Sequence, residues 1–385
     1  MKIRFCLSVL SIILLLNACS SKDVKPEKTI VKKDIRKDIV IKKKIVKSVP
    51  AKKKKTTVWI SGVGDLMLGT NYPKEPNYLP PDDGKNLLKE ATGLFKGSDI
   101  IFGNLEGPLL NGGKGFKNCK KCFSFKVPEH YVNHLVKAGF NLLSLANNHA
   151  GDFGPLGRER TSQILLKNRI EFAGTEKQPY TTFTRKGIKY GFCAFAPNFG
   201  TPDLRNIENA ISTVKKLSKV SDIVIVSFHG GAEGAKNRNV TRKPEFFYGE
   251  NRGNVYEFAH KVIDAGADVV FGHGPHIVRA IELYKGRFIA YSLGNFCTYA
   301  RFNLLDYNGV APIIKLNTYK NGQFIEGKII PMLQAFKKGP ALDKTKRAIK
   351  EIIELTTKDF PETNIIIDKV GNIKVKGTSN NSNFD

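Results

Sequence analysis

The sequence of 385 residues predicts an α/β fold, and three observations support this prediction. From residue 57 onward, short runs rich in β-branched residues alternate with amphipathic stretches, which favours a sheet with helices on both faces. Hydrophobic residues make up 41% of the chain and charged residues 25%. Both values are close to globular averages and exclude a disordered or collagen-like chain. The folded part shows neither an internal repeat nor a linker.

Strands are predicted where Val, Ile, Phe and Leu cluster between turn-forming residues, namely at 57–63, 99–102, 142–145, 190–196, 222–227, 268–271 and 287–292. Helices are predicted where apolar residues recur with helical spacing, near 85–95, 129–138, 156–167, 207–219 and 255–265. Near the C-terminus, Asn321-Gly322 predicts a hairpin turn between 310–319 and 323–331. A helix is predicted to follow at 344–357.

The N-terminus has the pattern of an export signal. Two basic residues precede the apolar run 5–16, which is shorter than the roughly 20 residues of a membrane-spanning helix. Residues 16–20, Leu-Asn-Ala-Cys-Ser, resemble a bacterial lipobox, which implies cleavage before Cys19 and lipidation of its thiol. An ordinary signal peptide with a chance cysteine is the alternative. We expect a cell-envelope protein, anchored by lipid outside the cytoplasm in the outer or the cytoplasmic membrane.

The segment after the signal is strongly basic. Residues 20–56 contain 15 Lys and Arg but four acidic residues, within a chain of net charge +27. Because like charges repel, we expect an extended or disordered spacer. Contact with anionic lipid or an acidic polymer is the alternative. We expect no nucleic-acid partner, since an exported protein rarely meets nucleic acid. The polar tail 378–385 is predicted to fray.

Four thiols remain after processing. Cys119 and Cys122 form a Cys-x-x-Cys pair, for which a local disulfide is favoured in an oxidising compartment. A redox pair and half of a zinc site are the alternatives, although no second pair follows at zinc-ribbon spacing. Cys193 and Cys297 lie in apolar runs and are predicted to be buried.

Polar residues follow the predicted strands at six junctions. These junctions read Gly-Asp-Leu-Met at 64–67, Gly-Asn-Leu-Glu at 103–106, Asn-Asn-His at 147–149, Phe-His-Gly-Gly-Ala-Glu at 228–233, Gly-His-Gly-Pro-His at 272–276 and Gly-Asn at 294–295. In α/β sheets, functional groups collect beyond the carboxyl ends of strands. Mixed imidazole and carboxylate ligands suit Zn, Mn or Fe, and such a centre makes hydroxide available at neutral pH. The pattern therefore predicts an active site at this edge.

These strings, in this order over residues 58–300, resemble the CapA/PgsA poly-γ-glutamate capsule family, a branch of the calcineurin-like metallophosphoesterases. The resemblance implies a four-layer α/β sandwich of two mixed β-sheets flanked by helices, with one or two divalent ions of Mn, Fe or Zn at the strand ends. It implies participation in polyglutamate capsule synthesis or export. The implied organisation is a signal at 1–19, a basic tether at 20–56, a folded domain at 57–377 and a tail at 378–385.

The resemblance also implies roles for individual residues. Its metal ligands match Asp65, Glu106, Asn148, His229, His273 and His276. His149 matches the proton donor to the leaving group, and Asn148 belongs to the same catalytic pair. From its position beside His229, Glu233 is expected to be a ligand, a partner of His229 or a substrate contact. Asn104, Arg279 and Asn295 are expected to contact an anionic substrate. The alternatives are a hydrogen bond to the turn for Asn295 and a surface position without a role for Arg279.

Two departures from the superfamily pattern affect the metal centre. The superfamily's Asp-x-His becomes Asp65-x-Met67, which removes one ligand, and its Gly-His-x-His gains a residue between His273 and His276. The departures predict that one metal site is weak or empty, whereas the retained acidic, Asn and His residues favour catalysis. The first hypothesis is a metal-dependent hydrolase acting on an anionic envelope polymer or a phosphoester, with a phosphoester or γ-amide as the scissile bond. The second is a non-catalytic, polymer-binding subunit of a membrane synthase complex.

Overall fold

Two mixed β-sheets form the centre of the structure, and helices cover their outer faces. The computed structural model describes residues 57–73, 78–116 and 123–377, all within one compact unit. The predicted signal with Cys19, the basic tether, the Cys119–Cys122 pair and the tail lie outside the described residues. No helix in the described ranges has both the length and the apolar character that a bilayer crossing requires.

Nineteen strands are found in the described residues. They are β1 Thr57–Met67, β2 Ile100–Leu105, β3 Leu142–Ser144, β4 Glu171–Ala173, β5 Tyr180–Arg185, β6 Ile188–Phe195, β7 Ile223–His229, β8 Phe246–Phe247, β9 Glu250–Asn251, β10 Val269–His273, β11 Ile281–Tyr284, β12 Arg287–Ala290, β13 Asn295–Thr298, β14 Ile313–Tyr319, β15 Phe324–Ile330, β16 Met332–Gln334, β17 Pro340–Leu342, β18 Ile365–Ile367 and β19 Asn372–Val375. Six α-helices accompany them in the same ranges: α1 Lys89–Thr92, α2 Val132–Ala138, α3 Gly154–Lys167, α4 Ile207–Ser218, α5 Val255–Asp264 and α6 Arg347–Asp359.

The first sheet has nine strands in the order β18-β19-β15-β14-β1-β2-β3-β4, with β13 also paired to β1. Its strands β1 to β4 are parallel, whereas β14, β15, β18 and β19 form an antiparallel extension. The second sheet has six strands in the order β11-β12-β10-β7-β6-β5, parallel in the middle and antiparallel at both edges. Both sheets are therefore mixed.

The main core lies between the two sheets. Phe102 of the first sheet stacks on Phe271 of the second with ring centroids 5.1 Å apart, and it contacts Phe192 at 5.7 Å. A second cluster fills the space between the first sheet and helices α2 and α3, and a third lies between the second sheet and helices α4 and α5. The predicted α/β fold is confirmed, together with the two mixed sheets and flanking helices that the resemblance implied.

Most predicted elements are present within a few residues of their expected bounds. The helix predicted near 85–95 is an exception, because only Lys89–Thr92 is α-helical and a 3₁₀ turn follows at Gly93–Phe95. The Asp82 carboxylate accepts hydrogen bonds from the backbone of Gly84 and Asn86, which holds the preceding residues in turns. Several short strands were not predicted from the sequence, among them β4, β5, β11 and β13. Cys193 and Cys297 are buried free thiols, as predicted.

Candidate functional site

The predicted strand ends meet where the two sheets face each other. Asp65 lies inside β1 and is paired in register with Asn104 of β2 and Asn295 of β13. His229 and His273 are the last residues of β7 and β10 and are paired with each other. The first sheet therefore contributes carboxylates and amides, and the second sheet contributes imidazoles.

Asp65 joins the two sheets through its carboxylate. Its Oδ1 lies 3.2 Å from Nδ1 of His273, and its Oδ2 lies 2.9 Å from Nδ1 of His276. Glu106, which follows β2, approaches Nε2 of His229 to 3.4 Å. All of these residues except His276 are almost completely buried. The extra residue between His273 and His276 does not remove the second imidazole from the site, because His276 adopts a left-handed backbone with φ of 57°.

Two glycines allow this approach of the loops. A Cβ on Gly274 would lie 2.8 Å from the backbone of Gly230, and Gly274 has a φ of 114° that other residues rarely adopt. The backbone N–H of Gly230 donates to the carbonyl oxygen of His273 at 2.8 Å. The loops that follow β7 and β10 are therefore held together next to His229 and His273.

Several buried polar atoms of this cluster have no hydrogen-bond partner in the described part of the chain. They are Oδ1 of Asn148, Nδ1 of His229 and Nε2 of His273. Oε1 of Glu106, Nε2 of His229 and Nδ1 of His273 make only the ion-pair contacts given above, without hydrogen-bond geometry. Such atoms are rare in proteins, because an unpaired buried polar atom costs about 1–3 kcal/mol. Ligand atoms of Glu106, His229 and His276 all lie within 4.8 Å of one another. The donor set and its unpaired atoms fit a divalent transition metal.

The charges within the cluster are mutually stabilised. Burial opposes ionisation of Asp65 and of Glu106, but the neighbouring imidazoles lower the pKa of both carboxyls. Burial likewise opposes protonation of His276, yet the hydrogen bond and charge of Asp65 outweigh it and raise the pKa of His276 to about 9. The carboxylates therefore require positive charge beside them, which a divalent cation would supply.

The loop after β3 carries the predicted proton donor. Asn147 accepts hydrogen bonds from the backbone of His149 and Ala150, and its amide donates to Oδ1 of Asn104. This shapes the turn that places His149 next to Asp152, whose Oδ2 lies 2.8 Å from Nδ1 of His149. Asp152 is fully buried and also accepts from the backbone of Phe125. An imidazole oriented by a buried carboxylate is a common arrangement for proton transfer.

Glu233 and Asn295 occupy supporting positions. Glu233 is half-buried and forms an ion pair with Arg252, and its charge contributes to the raised pKa of His276. Asn295 is buried and donates to the carbonyl oxygens of His276 and Asn308, at 3.1 and 3.0 Å. The amide of Asn295 therefore holds the segment that carries His276.

Two predicted substrate contacts are corrected by the structure. Arg279 is completely buried, where its guanidinium binds both carboxylate oxygens of Glu245 and the carbonyl oxygen of Ala232. Asn104 is also fully buried, and its amide is engaged by Asp65, Glu106 and Asn147. Because both side chains are completely buried, neither is accessible to a substrate. Asn104 orients the carboxylates, and Arg279 holds the loop after His229 in place.

Because Arg279 pairs with the buried carboxylate of Glu245, replacing it is predicted to lower the stability of the fold strongly. Arg279→Ala would leave Glu245 buried without its cation, which typically costs about 3–5 kcal/mol. We expect a loss of this size in the free energy of unfolding, measured by urea titration. Arg205 forms an exposed pair with Asp203, so Arg205→Ala should cost at most about 1 kcal/mol. Equal free energies of unfolding for the two variants would contradict a stabilising role of the Arg279–Glu245 pair.

Sequence reasoning assigned no role to several residues of the site. Asp152 and Asn147 stand within three positions of His149, a spacing that could have indicated them. Phe125 and Phe302 gave no such signal. The ring of Phe125 lies 4.5 Å from that of His149, and the ring of Phe302 lies 5.5 Å from that of His276, with the two phenylalanines 5.3 Å apart. They form an aromatic wall between the two imidazoles.

Comparison with known proteins places these features in a family. A family model described as bacterial capsule synthesis protein PGA_cap matches residues 59–300. The chain is 29% identical over 254 residues to the PGA biosynthesis protein CapA of Bacillus subtilis, which covers 61% of this chain and 62% of that protein. It is 27% identical over 254 residues to the capsule biosynthesis protein CapA of Bacillus anthracis, which covers 61% and 58%. The match thus spans about three fifths of the length of these curated relatives.

Similar solved structures are more distant. The calcineurin-like phosphoesterase YfkN of Bacillus subtilis gives a TM-score of 0.41 at 12% identity, over 79% of this chain and 99% of that chain. A putative 5'-nucleotidase of Staphylococcus aureus gives a TM-score of 0.42 at 12% identity, over 76% and 57%. No conclusion about this chain rests on likenesses of this size.

Proposed function

The chain belongs to the bacterial capsule synthesis protein family PGA_cap, and on this premise we propose that it is a metal-dependent hydrolase of the cell envelope. Its substrate would be an anionic polymer, and poly-γ-glutamate is the polymer that the names of its capsule relatives suggest. The scissile bond would be a phosphoester or a γ-amide, since both are attacked by the same nucleophile.

The observation that carries this proposal is the set of unpaired ligand atoms between the two sheets. His229 and His273 each present a buried ring nitrogen without a hydrogen-bond partner in the described residues, and Asp65, Glu106 and His276 complete the group. Asn148 adds an unpaired Oδ1 from the loop that also carries the proton donor. These atoms belong to residue types that bind transition metals, and ligand atoms of Glu106, His229 and His276 converge on one place between the two sheets.

Each residue of the site has a part in the proposed chemistry. A divalent ion bound by Asp65, Glu106, Asn148 and the three histidines would supply hydroxide near neutral pH. Asn104 keeps the two carboxylates in position through its amide. His149 would donate a proton to the departing oxygen or nitrogen, and Asp152 orients its ring and balances the charge of the imidazolium.

Met67 favours a second candidate function. It is buried in β1, two residues after Asp65, where the superfamily pattern has an imidazole. A thioether is a poor ligand for Zn, Mn or Fe ions. With one ion site weakened, the chain would act as a polymer-binding subunit of a membrane synthase complex without hydrolysing the polymer.

One experiment separates the two functions. The full-length protein is loaded with Mn, Fe or Zn, its metal content is measured, and its turnover of a phosphoester and of a γ-glutamyl amide is followed. The hydrolase proposal expects about one or two equivalents of tightly bound metal and turnover of at least one substrate. Metal below about a tenth of an equivalent would contradict the metal site. Bound metal without turnover of either substrate would favour the binding subunit.

We further propose that Cys19 anchors the protein to the membrane. The motivation is the Leu-Asn-Ala-Cys sequence at the end of the predicted signal. Several acyl chains on one cysteine hold firmly, because each buried CH₂ contributes about 0.8 kcal/mol. Cys19→Ala should move the protein from the membrane fraction to the soluble fraction or trap the precursor. A variant that is processed and fractionates like wild type would contradict lipidation at Cys19.

A further inference from the structure

Two arginines next to the site have no carboxylate partner. Most arginines of the described residues form ion pairs, for example Arg160 with Glu129 and Arg238 with Glu351. No such pair is formed by Arg158 or Arg301 within those ranges. Because Arg279 is paired with Glu245, Arg158 and Arg301 are the candidates to bind the negatively charged groups of a substrate.

Arg158 lies beside the loop that carries the proton donor. A Cβ on Gly151 would lie 2.2 Å from Nη2 of Arg158, and a Cβ on Gly200 would lie 2.5 Å from its guanidinium carbon, so the group fits between these two glycines. Nη2 donates to the carbonyl oxygen of Phe199 at 2.6 Å, while the buried Nε has no hydrogen-bond partner in the described part. Burial lowers the pKa of Arg158, and the charges of Glu176 and Asp152 offset this effect only in part.

Arg301 reaches the site from a different element. Its guanidinium carbon lies 5.0 Å from the ring centroid of Phe123 and 4.8 Å from that of Tyr78. The next residue, Phe302, contacts the ring of His276, and the ring of Phe123 stacks near that of Phe125 with centroids 6.3 Å apart. Arg301 is therefore linked to both histidines through the aromatic wall.

The two guanidiniums share one arrangement. Each packs against a phenylalanine that is largely exposed, Phe199 at 83% and Phe123 at 53%. A guanidinium held against an aromatic ring keeps its remaining N–H groups in a fixed plane, which suits hydrogen bonding to an oxygen of a carboxylate or phosphate. The exposed phenylalanine would contact apolar parts of the same ligand.

We propose that Arg158 and Arg301, which belong to two different elements, each bind an oxyanion of the substrate, a carboxylate or a phosphate. A ligand that engages both arginines must carry at least two separate negative charges, as a polyanion does. This deepens the proposed function by naming the residues that would bind the anionic substrate. The inference rests on the proposed function because it assumes that the neighbouring site is the active site. Binding of an oxyanion can nevertheless be measured without any turnover.

The test measures binding of short probes to the full-length protein by calorimetry. The probes are a γ-linked glutamate oligomer and tripolyphosphate, used at physiological ionic strength to screen contacts with exposed lysines. The variants are Arg158→Gln, Arg301→Gln and Arg158→Lys. Arg160→Gln is the matched control, because Arg160 lies on the same helix and is already paired with Glu129. The basic segment 20–56 is the same in all variants and does not affect the comparison.

Arg158→Gln and Arg301→Gln should each weaken binding about tenfold, and Arg158→Lys should recover part of the loss. Arg160→Gln should bind like wild type. The probe that shows the loss identifies the oxyanion as carboxylate or phosphate. The proposal is overturned if neither probe binds wild type, or if both Gln variants bind as tightly as Arg160→Gln. Metal content and turnover, measured on the same samples, report separately on the hydrolase proposal.

Discussion

His149→Ala is expected to lower turnover of a substrate with a poor leaving group about 10²–10⁴-fold, because a positioned proton donor contributes a factor of that size. Turnover of a substrate with a good leaving group, such as nitrophenolate, should change little, since this group departs without a proton. The metal content should stay at the wild-type level. The measurement compares rates on two esters that differ only in the pKa of the leaving group.

Two outcomes would contradict this role of His149. Loss of metal from His149→Ala would indicate that His149 is a metal ligand. An equal decrease in the turnover rates of both esters would show that His149 is not the general acid. Asp152→Asn provides a graded comparison, because the structure pairs Asp152 with Nδ1 of His149 at 2.8 Å. We expect this variant to show the same dependence on the leaving group with a smaller loss of rate.

His229→Ala is expected to weaken metal binding about 100-fold or more. Removing an outer-shell partner of a metal ligand already costs about 10–100-fold in affinity. His229 lies inside the cluster, with Nε2 3.4 Å from Glu106 and with Nδ1 lacking a hydrogen-bond partner in the described residues. Elemental analysis after dialysis against a weak chelator measures the effect. His130→Ala is the control, because His130 is exposed and bound to Asp83 away from the site.

A His229→Ala variant that kept its metal would contradict the proposed ligand set. Circular dichroism would show whether the variant retains the fold. A loss of metal with an unchanged spectrum would show that the variant loses a metal ligand and not its fold.

The candidate site could be predicted from the sequence to the extent that it lies at strand ends. Asp65, His229 and His273 follow or end apolar runs, and their residue types indicate metal ligands. The ion pair between His276 and Asp65 spans 211 positions of the chain. Such a contact depends on how the two sheets face each other, which local sequence does not specify.

Arg279 shows why the remaining roles could not be predicted. Its position after the paired histidines suggested a substrate contact, but its partner Glu245 lies 34 positions earlier, in a stretch without a predicted element. Burial of a charge depends on such a partner. The same limit applies to Asn104, whose amide is engaged by residues from three different segments.

The missed strands have a related cause. β11 is a short edge strand of four residues, and its hairpin with β12 turns at Lys285 and Gly286, both with positive φ. β13 comes directly after a turn at Gly294 and pairs with β1 outside the main strand order. Short strands of this kind carry little periodicity, so tertiary pairing determines them.

The division of the candidate ligands between two sheets has a consequence for folding thermodynamics. Asp65, Glu106 and Asn148 belong to one sheet, and His229, His273 and His276 belong to the other. A cation that requires both sets binds only the state in which the sheets are packed together. By mass action, ligand at 100 times its dissociation constant adds about 2.7 kcal/mol to the free energy of unfolding. The supply of metal would then affect how long the domain resists unfolding and proteolysis.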